Sequence, residues 1–200
     1  MDLKLNFYKN LGGLINPDCI FASNTSSLQI TQMAVASGRP HNFVGLHFFN
    51  PVQIMKLVEV IRTKETDDVT FNRMLDFGKS IGKTTVSCMD TPGFIVNRLL
   101  VPYIAQALSM YDRREATVLD IDLSMQLGTG APMGPFTLAD YVGLDTMLNI
   151  LTGWVKDYPE EKAFIIPQCL VDKVNAGDLG RKSGKGFYFW NGDKTSGPVL

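Results

Sequence analysis

Histidine is scarce in this chain: 200 residues contain two, His41 and His47. No His, Cys, Asp and Glu cluster with metal-ligand spacing, so no bound metal is expected. The three cysteines, Cys19, Cys88 and Cys169, are odd in number and far apart. They read as reduced, buried thiols of an intracellular protein, not as a disulfide framework. An excess of either charge is lacking too. Nineteen Lys and Arg against 20 Asp and Glu leave a net charge of −1. Nothing electrostatic therefore points to nucleic acid or an anionic membrane. No apolar run is long enough to span a bilayer. Also missing is Gly-x-Gly-x-x-Gly after a strand, the loop that seats a dinucleotide pyrophosphate on a helix N-terminus. Gly128-Thr129-Gly130-Ala131-Pro132-Met133-Gly134 follows a helical pattern and is interrupted by Pro132, so it reads as a connector. Gly180-Arg181-Lys182-Ser183-Gly184 lacks phosphate-loop spacing.

What is present suffices for a globular core. The apolar fraction is 45%, and the length allows one large or two small domains. Residues 2–11 pattern as a helix with Leu3, Phe7, Leu11 and Leu14 on one apolar face. Residues 19–23 read as a short strand. Asn24-Thr25-Ser26-Ser27 can then cap a helix over 28–36. Strands are expected around Phe43 and Met55, a helix over 67–80, and a strand over 84–88. This alternation argues for a mostly parallel sheet flanked by helices. At Asp90-Thr91-Pro92-Gly93 the pattern changes, and only helices follow: 94–112 with Pro102 inside it, 117–127 closed by Gly128, 135–141, 144–158 and 166–176. The expected domains are therefore 1–90, α/β, and 91–200, all-α.

Within this layout Gly45-Leu46-His47-Phe48-Phe49-Asn50-Pro51 stands out. Asn50-Pro51 turns the chain, and the run Met55-Lys56-Leu57-Val58-Glu59-Val60-Ile61 follows. If the second run returns beside the first, Glu59 comes within reach of His47. An imidazole exchanges protons near neutral pH, and a carboxylate beside it fixes its orientation. Two readings fit these residues alone: a core histidine beside a strand glutamate, or a proton-transfer pair. Asn97 sits among Ile95, Val96, Leu99 and Leu100 in a helical pattern, where its amide needs partners if buried. Taken singly, Ser26 is a capping residue, Asn50 a turn residue, and Lys4 and Lys182 surface charges.

Five collinear motifs resemble the L-3-hydroxyacyl-CoA dehydrogenase family. They are Ser23-Asn24-Thr25-Ser26-Ser27, Gly45-Leu46-His47-Phe48-Phe49-Asn50-Pro51, Asp90-Thr91-Pro92-Gly93-Phe94-Ile95-Val96-Asn97-Arg98, Pro132-Met133-Gly134-Pro135-Phe136 and Lys182-Ser183-Gly184-Lys185-Gly186-Phe187-Tyr188. The resemblance implies NAD as cofactor, an acyl-CoA substrate and a place in fatty-acid β-oxidation. It implies His47 as general base, Glu59 as its orienting carboxylate, and Ser26 and Asn97 as groups that hold the reacting oxygen. Asn50, Lys4, Lys182 and Ser26 are implied to meet the cofactor. It further implies a homodimer through the helical domain, built on residues such as Leu99, Leu100, Ile104, Leu108, Met125, Leu127, Met147, Ile150 and Leu151.

The family members are longer at the N-terminus, where they carry the glycine loop. Residues 1–90 thus read as the second portion of a Rossmann-like domain. Without that loop, these 200 residues are expected to bind NAD and turn over substrate below detection. The alternative is a non-catalytic truncated protein whose helical domain serves as an interaction module. The resemblance implies the mitochondrial matrix, but the opening residues lack the look of an import leader. The 200-residue chain alone is expected to stay cytosolic.

Overall fold

The structure, a computed structural model, describes residues 1–199. Leu200, the last residue of the expected second domain, lies outside the described residues. The chain forms two compact units, Met1–Arg98 and a second that begins at Leu99.

The first unit is built on a four-stranded sheet in the order β1 (Phe21–Ser23), β2 (Phe43–Phe48), β3 (Leu57–Arg62), β4 (Thr84–Met89). The outer pairs β1–β2 and β3–β4 are parallel, and the central pair β2–β3 is antiparallel. Both central strands are apolar runs buried on two faces, as expected for a sheet covered by helices on each side. Strand alternation sorts the side chains. Phe43 and Ile61 face a layer holding Tyr8, Ile30 and Met33, from α1 (Asp2–Gly12) and α2 (Ile30–Ala36). Leu46, Val58 and Val60 face Phe71 of α3 (Asp68–Ser80). His47 and Glu59 share the parity of Phe43 and Ile61, so they belong to the α1/α2 face. Gly45 lies between them and the core. A Cβ there would sit 2.8 Å from Ile61 Cβ and 2.9 Å from Ile30 Cδ1, so glycine lets the start of α2 press onto the sheet.

Two local expectations change. The buried face of α1 is carried by Tyr8, with Leu5 and Leu11 packed beside it, whereas Leu3, Phe7 and Leu14 point outward. Only Leu11 of the expected stripe faces the core. Helix α2 starts at Ile30, not residue 28. Thr25 Oγ1 does accept from a backbone N–H, that of Leu28 at 3.1 Å, but this closes a turn ahead of the helix. The cap on α2 is Asp90, whose carboxylate accepts from Ile30 N at 3.0 Å and Thr31 N at 2.7 Å.

The second unit is helical, with α4 (Val96–Asp112, entering from the first unit), α5 (Val118–Thr129), α6 (Pro135–Val142), α7 (Leu144–Asp157) and α8 (Gln168–Asn175). Pro102 lies inside α4. Thr117 caps α5, which closes at Gly130 (φ 74°) instead of Gly128. The expectation of helices alone is incomplete: a hairpin of β5 (Tyr188–Asn191) and β6 (Lys194–Pro198) follows. Two such short strands carry too little alternation to stand out, and tertiary contacts hold them. Asp140 accepts from Phe187 N, Tyr188 N and Trp190 Nε1, each at 2.9 Å, and Asp122 accepts from Tyr188 Oη at 3.1 Å.

Four residues on the expected dimer surface, Ile104, Leu108, Met147 and Leu151, are fully buried in the unit's own core. They have no surface left to offer. Leu100 and Ile150 pack partly against that core, while Leu99 and Leu127 remain exposed.

Of the expected buried thiols, only Cys169 is buried; Cys19 and Cys88 are intermediate, and all three are free. No helix among the described residues is long and apolar enough to cross a membrane.

Candidate active site

The antiparallel register of β2 and β3 pairs His47 with Glu59. Directly opposed residues of neighbouring strands bring their side chains together on one face. Here the Glu59 carboxylate lies 2.7 Å from His47 Nδ1, and both side chains are buried, at 3% and 0% exposure for His47 and Glu59. The other carboxylate oxygen accepts from Ile95 N at 3.0 Å and Val96 N at 2.9 Å. Burial by itself would push the Glu59 carboxyl up. The His47 hydrogen bond, the two backbone N–H groups and the His47 charge outweigh it and hold the carboxyl below its ordinary range. An ionised carboxylate only accepts, so His47 Nδ1 is the donor in this pair. In the neutral ring, Nε2 is then an acceptor. It lies 3.0 Å from Ser26 Oγ, which supplies the donor. The result is a directed chain, Ser26 to His47 to Glu59, with the basic nitrogen Nε2 facing the Ser26 hydroxyl.

Two rings frame the imidazole. Phe49 lies 4.5 Å and Phe94 5.5 Å from it, centre to centre. Phe94 is buried and has a φ of 57°, a left-handed backbone that a bulky side chain rarely adopts. Gly93 before it has a φ of 75°. This pair of left-handed residues turns the chain just ahead of Ile95 and Val96, whose N–H groups reach Glu59. Such strain persists where the surroundings over-determine it.

The sequence candidates divide by place. Ser26, His47, Glu59 and Asn97 come together, since Asn97 Nδ2 donates to the Ser26 carbonyl at 3.2 Å. Asn97 lies in the first turn of α4 and is half-buried. Asn50 and Lys4 stand outside this hydrogen-bonded array. Asn50 is exposed, next to the cis Asn50–Pro51 peptide, and Lys4 is half-buried on α1. Lys182 lies in the second unit, paired with Asp145. Sequence reading missed Phe49, Phe94, the Ile95 and Val96 N–H groups, and Asn24, whose Oδ1 accepts from Phe48 N at 3.1 Å. Only Pro92-Gly93 ahead of Phe94 signalled a tight turn there. The Cys88 thiol is pushed up to about 12 by burial and by the Glu59 and Asp90 charges, so it stays protonated and unreactive. Among the described residues, no three His, Cys, Asp or Glu gather as metal ligands.

Residues 1–91 match the family model for the 3-hydroxyacyl-CoA dehydrogenase NAD binding domain, and residues 93–190 that for the 3-hydroxyacyl-CoA dehydrogenase C-terminal domain. The chain belongs to the 3-hydroxyacyl-CoA dehydrogenase family. Within that family, the mitochondrial hydroxyacyl-coenzyme A dehydrogenase of Mus musculus is 52% identical over 188 residues, 94% of this chain and 60% of that protein. A probable 3-hydroxyacyl-CoA dehydrogenase of Caenorhabditis elegans is also 52% identical, over 94% of this chain and 61% of its own length. The solved (S)-3-hydroxybutyryl-CoA dehydrogenase of Ralstonia eutropha is 39% identical with a TM-score of 0.91, covering 96% of this chain and 67% of its own. The chain thus spans about 60% of the length of the first two relatives. The two family matches fall on an α/β unit that corresponds to the NAD binding domain and a helical unit that corresponds to the C-terminal domain.

Proposed function

We propose that these residues carry the proton-transfer half of an NAD-dependent dehydrogenase that oxidises an L-3-hydroxyacyl-CoA to the 3-ketoacyl-CoA. The observation that supports this most is the directed chain from Ser26 through His47 to Glu59. A core histidine needs partners on both nitrogens, but not an ionised carboxylate behind one of them and a replaceable hydroxyl in front of the other. The substrate's C3 hydroxyl takes a place near Ser26 Oγ, and His47 Nε2 accepts its proton. The C3–H bond breaks with its electron pair, and the C3–O bond becomes a carbonyl. NAD, held at its nicotinamide end by Asn50 and Ser26, would supply the acceptor for that hydride. Glu59 keeps Nδ1 protonated, so Nε2 is always the nitrogen that takes the proton. Ser26 Oγ and the Asn97 amide hold the oxygen while charge develops on it.

The residues present fit only one end of the cofactor. Asn50 and Ser26 are suited to the nicotinamide end by resemblance, and Lys4 and Lys182 are weaker candidates. For the pyrophosphate, the 200 residues contain no glycine-rich turn after a strand. Seating two reactants accounts for many orders of magnitude in rate. These 200 residues alone are therefore expected to bind NAD poorly and turn over little. Joining them to the N-terminal part of the mouse relative should give NADH from 3-hydroxybutyryl-CoA. A soluble, NADH-binding hybrid without that activity would sink the dehydrogenase reading.

We place the domain border near residue 90, as the sequence pattern suggests, and assign the holoenzyme to mitochondria, as the mouse relative's name says of that protein, and to their matrix by the family resemblance. Import of a tagged holoenzyme into isolated mitochondria tests the second point. One further observation favours assembly through the helical unit. Leu119, Leu123 and Leu127 lie one turn apart on α5, and all are exposed. We assign this stripe to a homodimer contact; the same stripe would serve the non-catalytic interaction reading. A sedimentation profile unchanged between the parent and Leu123→Glu would remove that assignment.

A further inference from the structure

The Ser26 end of the array hangs on a short, otherwise uncapped helix. Helix α2 has seven residues, and its N-cap position, Gln29, provides no side-chain capping bond. Its first N–H groups are instead taken by a carboxylate 60 positions away in the chain. Asp90 Oδ1 accepts from Ile30 N at 3.0 Å, and Oδ2 accepts from Thr31 N at 2.7 Å and Thr31 Oγ1 at 2.6 Å. Three charge-assisted bonds on a helix N-terminus form a strong tether. Asp90 is anchored in turn, since its own N–H donates to the Arg62 carbonyl at 3.1 Å, just past the end of the β3–β4 ladder. The turn Thr25–Leu28, which carries Ser26, runs directly into this tethered start.

We propose that Asp90 is a positioning residue for His47, acting through the Ser26 turn. The proposal rests on the reading of His47 as the proton-transfer group, but it makes a claim of its own. The two sides of the imidazole are held by different parts of one segment. Asp90 holds the Ser26 side through α2. Ile95 and Val96, just beyond the left-handed Gly93–Phe94 turn, hold the Glu59 side. Loss of the Asp90 carboxylate releases the start of α2 and loosens the Ser26 hydroxyl, whose backbone carbonyl the Asn97 amide still holds, but leaves Glu59 and its three donors in place. Its effect is confined to Nε2 of His47. A cap that served only the stability of α2 would leave Nε2 unmoved in the folded variant.

The test uses the 200-residue chain and needs no turnover, so it fails or succeeds separately from the dehydrogenase reading. Long-range proton–nitrogen correlation spectra of 15N-labelled protein report which imidazole nitrogen is protonated and which is hydrogen-bonded. With two histidines in the chain, His41 serves as the internal reference; its Nδ1 lies 2.8 Å from the Glu65 carbonyl. Ser26→Ala defines the position of Nε2 without its donor. Asp90→Ala should move Nε2 towards that position and leave Nδ1 where it is. Thr117→Ala is the control, since Thr117 caps α5 through Asp120 N, touches neither histidine and should move neither nitrogen. Asp90→Asn keeps one acceptor oxygen and should move Nε2 the same way by less, and it stands in for the alanine variant if that one does not fold. An Nε2 signal unmoved in a folded Asp90 variant would overturn the proposal. So would equal movement of both nitrogens, a shift in Thr117→Ala as large as in Asp90→Ala, or a Ser26→Ala spectrum like the parent's.

Discussion

Glu59 in the first unit and Asp140 in the second are both fully buried carboxylates with three donors each. They differ in what the donors are. Asp140 is held by two backbone N–H groups and an indole N–H, none of which exchanges its proton role near neutral pH. Its contacts fasten the C-terminal hairpin to α6. Glu59 is held by two backbone N–H groups and an imidazole that does exchange protons. Burial pushes both carboxyls up. For Asp140 it prevails over the bonds from Trp190, Phe187 and Tyr188, and the carboxyl stays raised; for Glu59 the His47 and backbone bonds prevail, and it is lowered. A buried acid is therefore no sign of chemistry by itself. The donor opposite it decides.

The comparison breaks most visibly at His47. In an NAD-competent hybrid, His47→Gln removes the proton acceptor, and turnover should fall roughly 10²–10⁴-fold with the circular-dichroism spectrum unchanged. Parent-level oxidation of 3-hydroxybutyryl-CoA would mean that the imidazole is only packing. Asp140→Ala should do the converse. It leaves three buried N–H groups without acceptors, so urea unfolding should show a loss of about 3 kcal/mol or more. At temperatures where the variant is folded, its turnover per folded molecule should match the parent. Glu59→Gln sharpens the contrast within one residue. The amide oxygen can still accept from Ile95 and Val96, but the NH₂ group now faces His47 Nδ1 and turns that nitrogen into an acceptor. Nε2 then carries the hydrogen, the wrong tautomer for a base. Turnover should drop roughly 10²–10⁴-fold, while the unfolding midpoint moves less than in Asp140→Ala. An equal loss of stability and activity would assign Glu59 the role that Asp140 has.

The smallest effect is the dependence on pH. Glu59 titrates lower in the folded chain than in the unfolded one, so its contribution is complete above the unfolded carboxyl value. It is lost as the pH falls through the folded value. Urea midpoints of parent and Glu59→Gln, compared from neutral to acid pH, should converge as the pH falls. Asp140 titrates higher when folded, so its contribution is present below the unfolded value and is lost as pH rises through the folded one. The gap between parent and Asp140→Asn should accordingly narrow as the pH rises. Two gaps with the same slope would show that the donor sets do not distinguish these acids.

Much of the first unit is legible in the sequence because its signals are local. Alternating and continuous apolar runs mark β2 and β3, Asn50-Pro51 marks the turn between them, and a period of two then places His47 and Glu59 on one face. Asp67 before α3 and Thr117 before α5 are caps that sit beside what they cap. Other features depend on residues far apart in the chain, and only the folded chain supplies them. Nothing near Ile30 says that Asp90 will cap it, because the carboxylate and the N–H groups meet only once β4 has paired with β3. The outward face of α1 could not be chosen from spacing, since Leu3-Phe7 and Leu5-Tyr8 offer rival stripes and the sheet selects the one that Phe21 and Phe43 contact. The hairpin at Tyr188 is too short to declare itself and exists because Asp140 and Asp122 wait for its N–H and O–H groups. Local pattern thus determined the elements and the pair at the centre of the site, through the geometry of a pleated strand. Tertiary structure decided which groups surround that pair, because hydrogen-bond partners 36 to 71 residues apart leave no periodic trace in the chain.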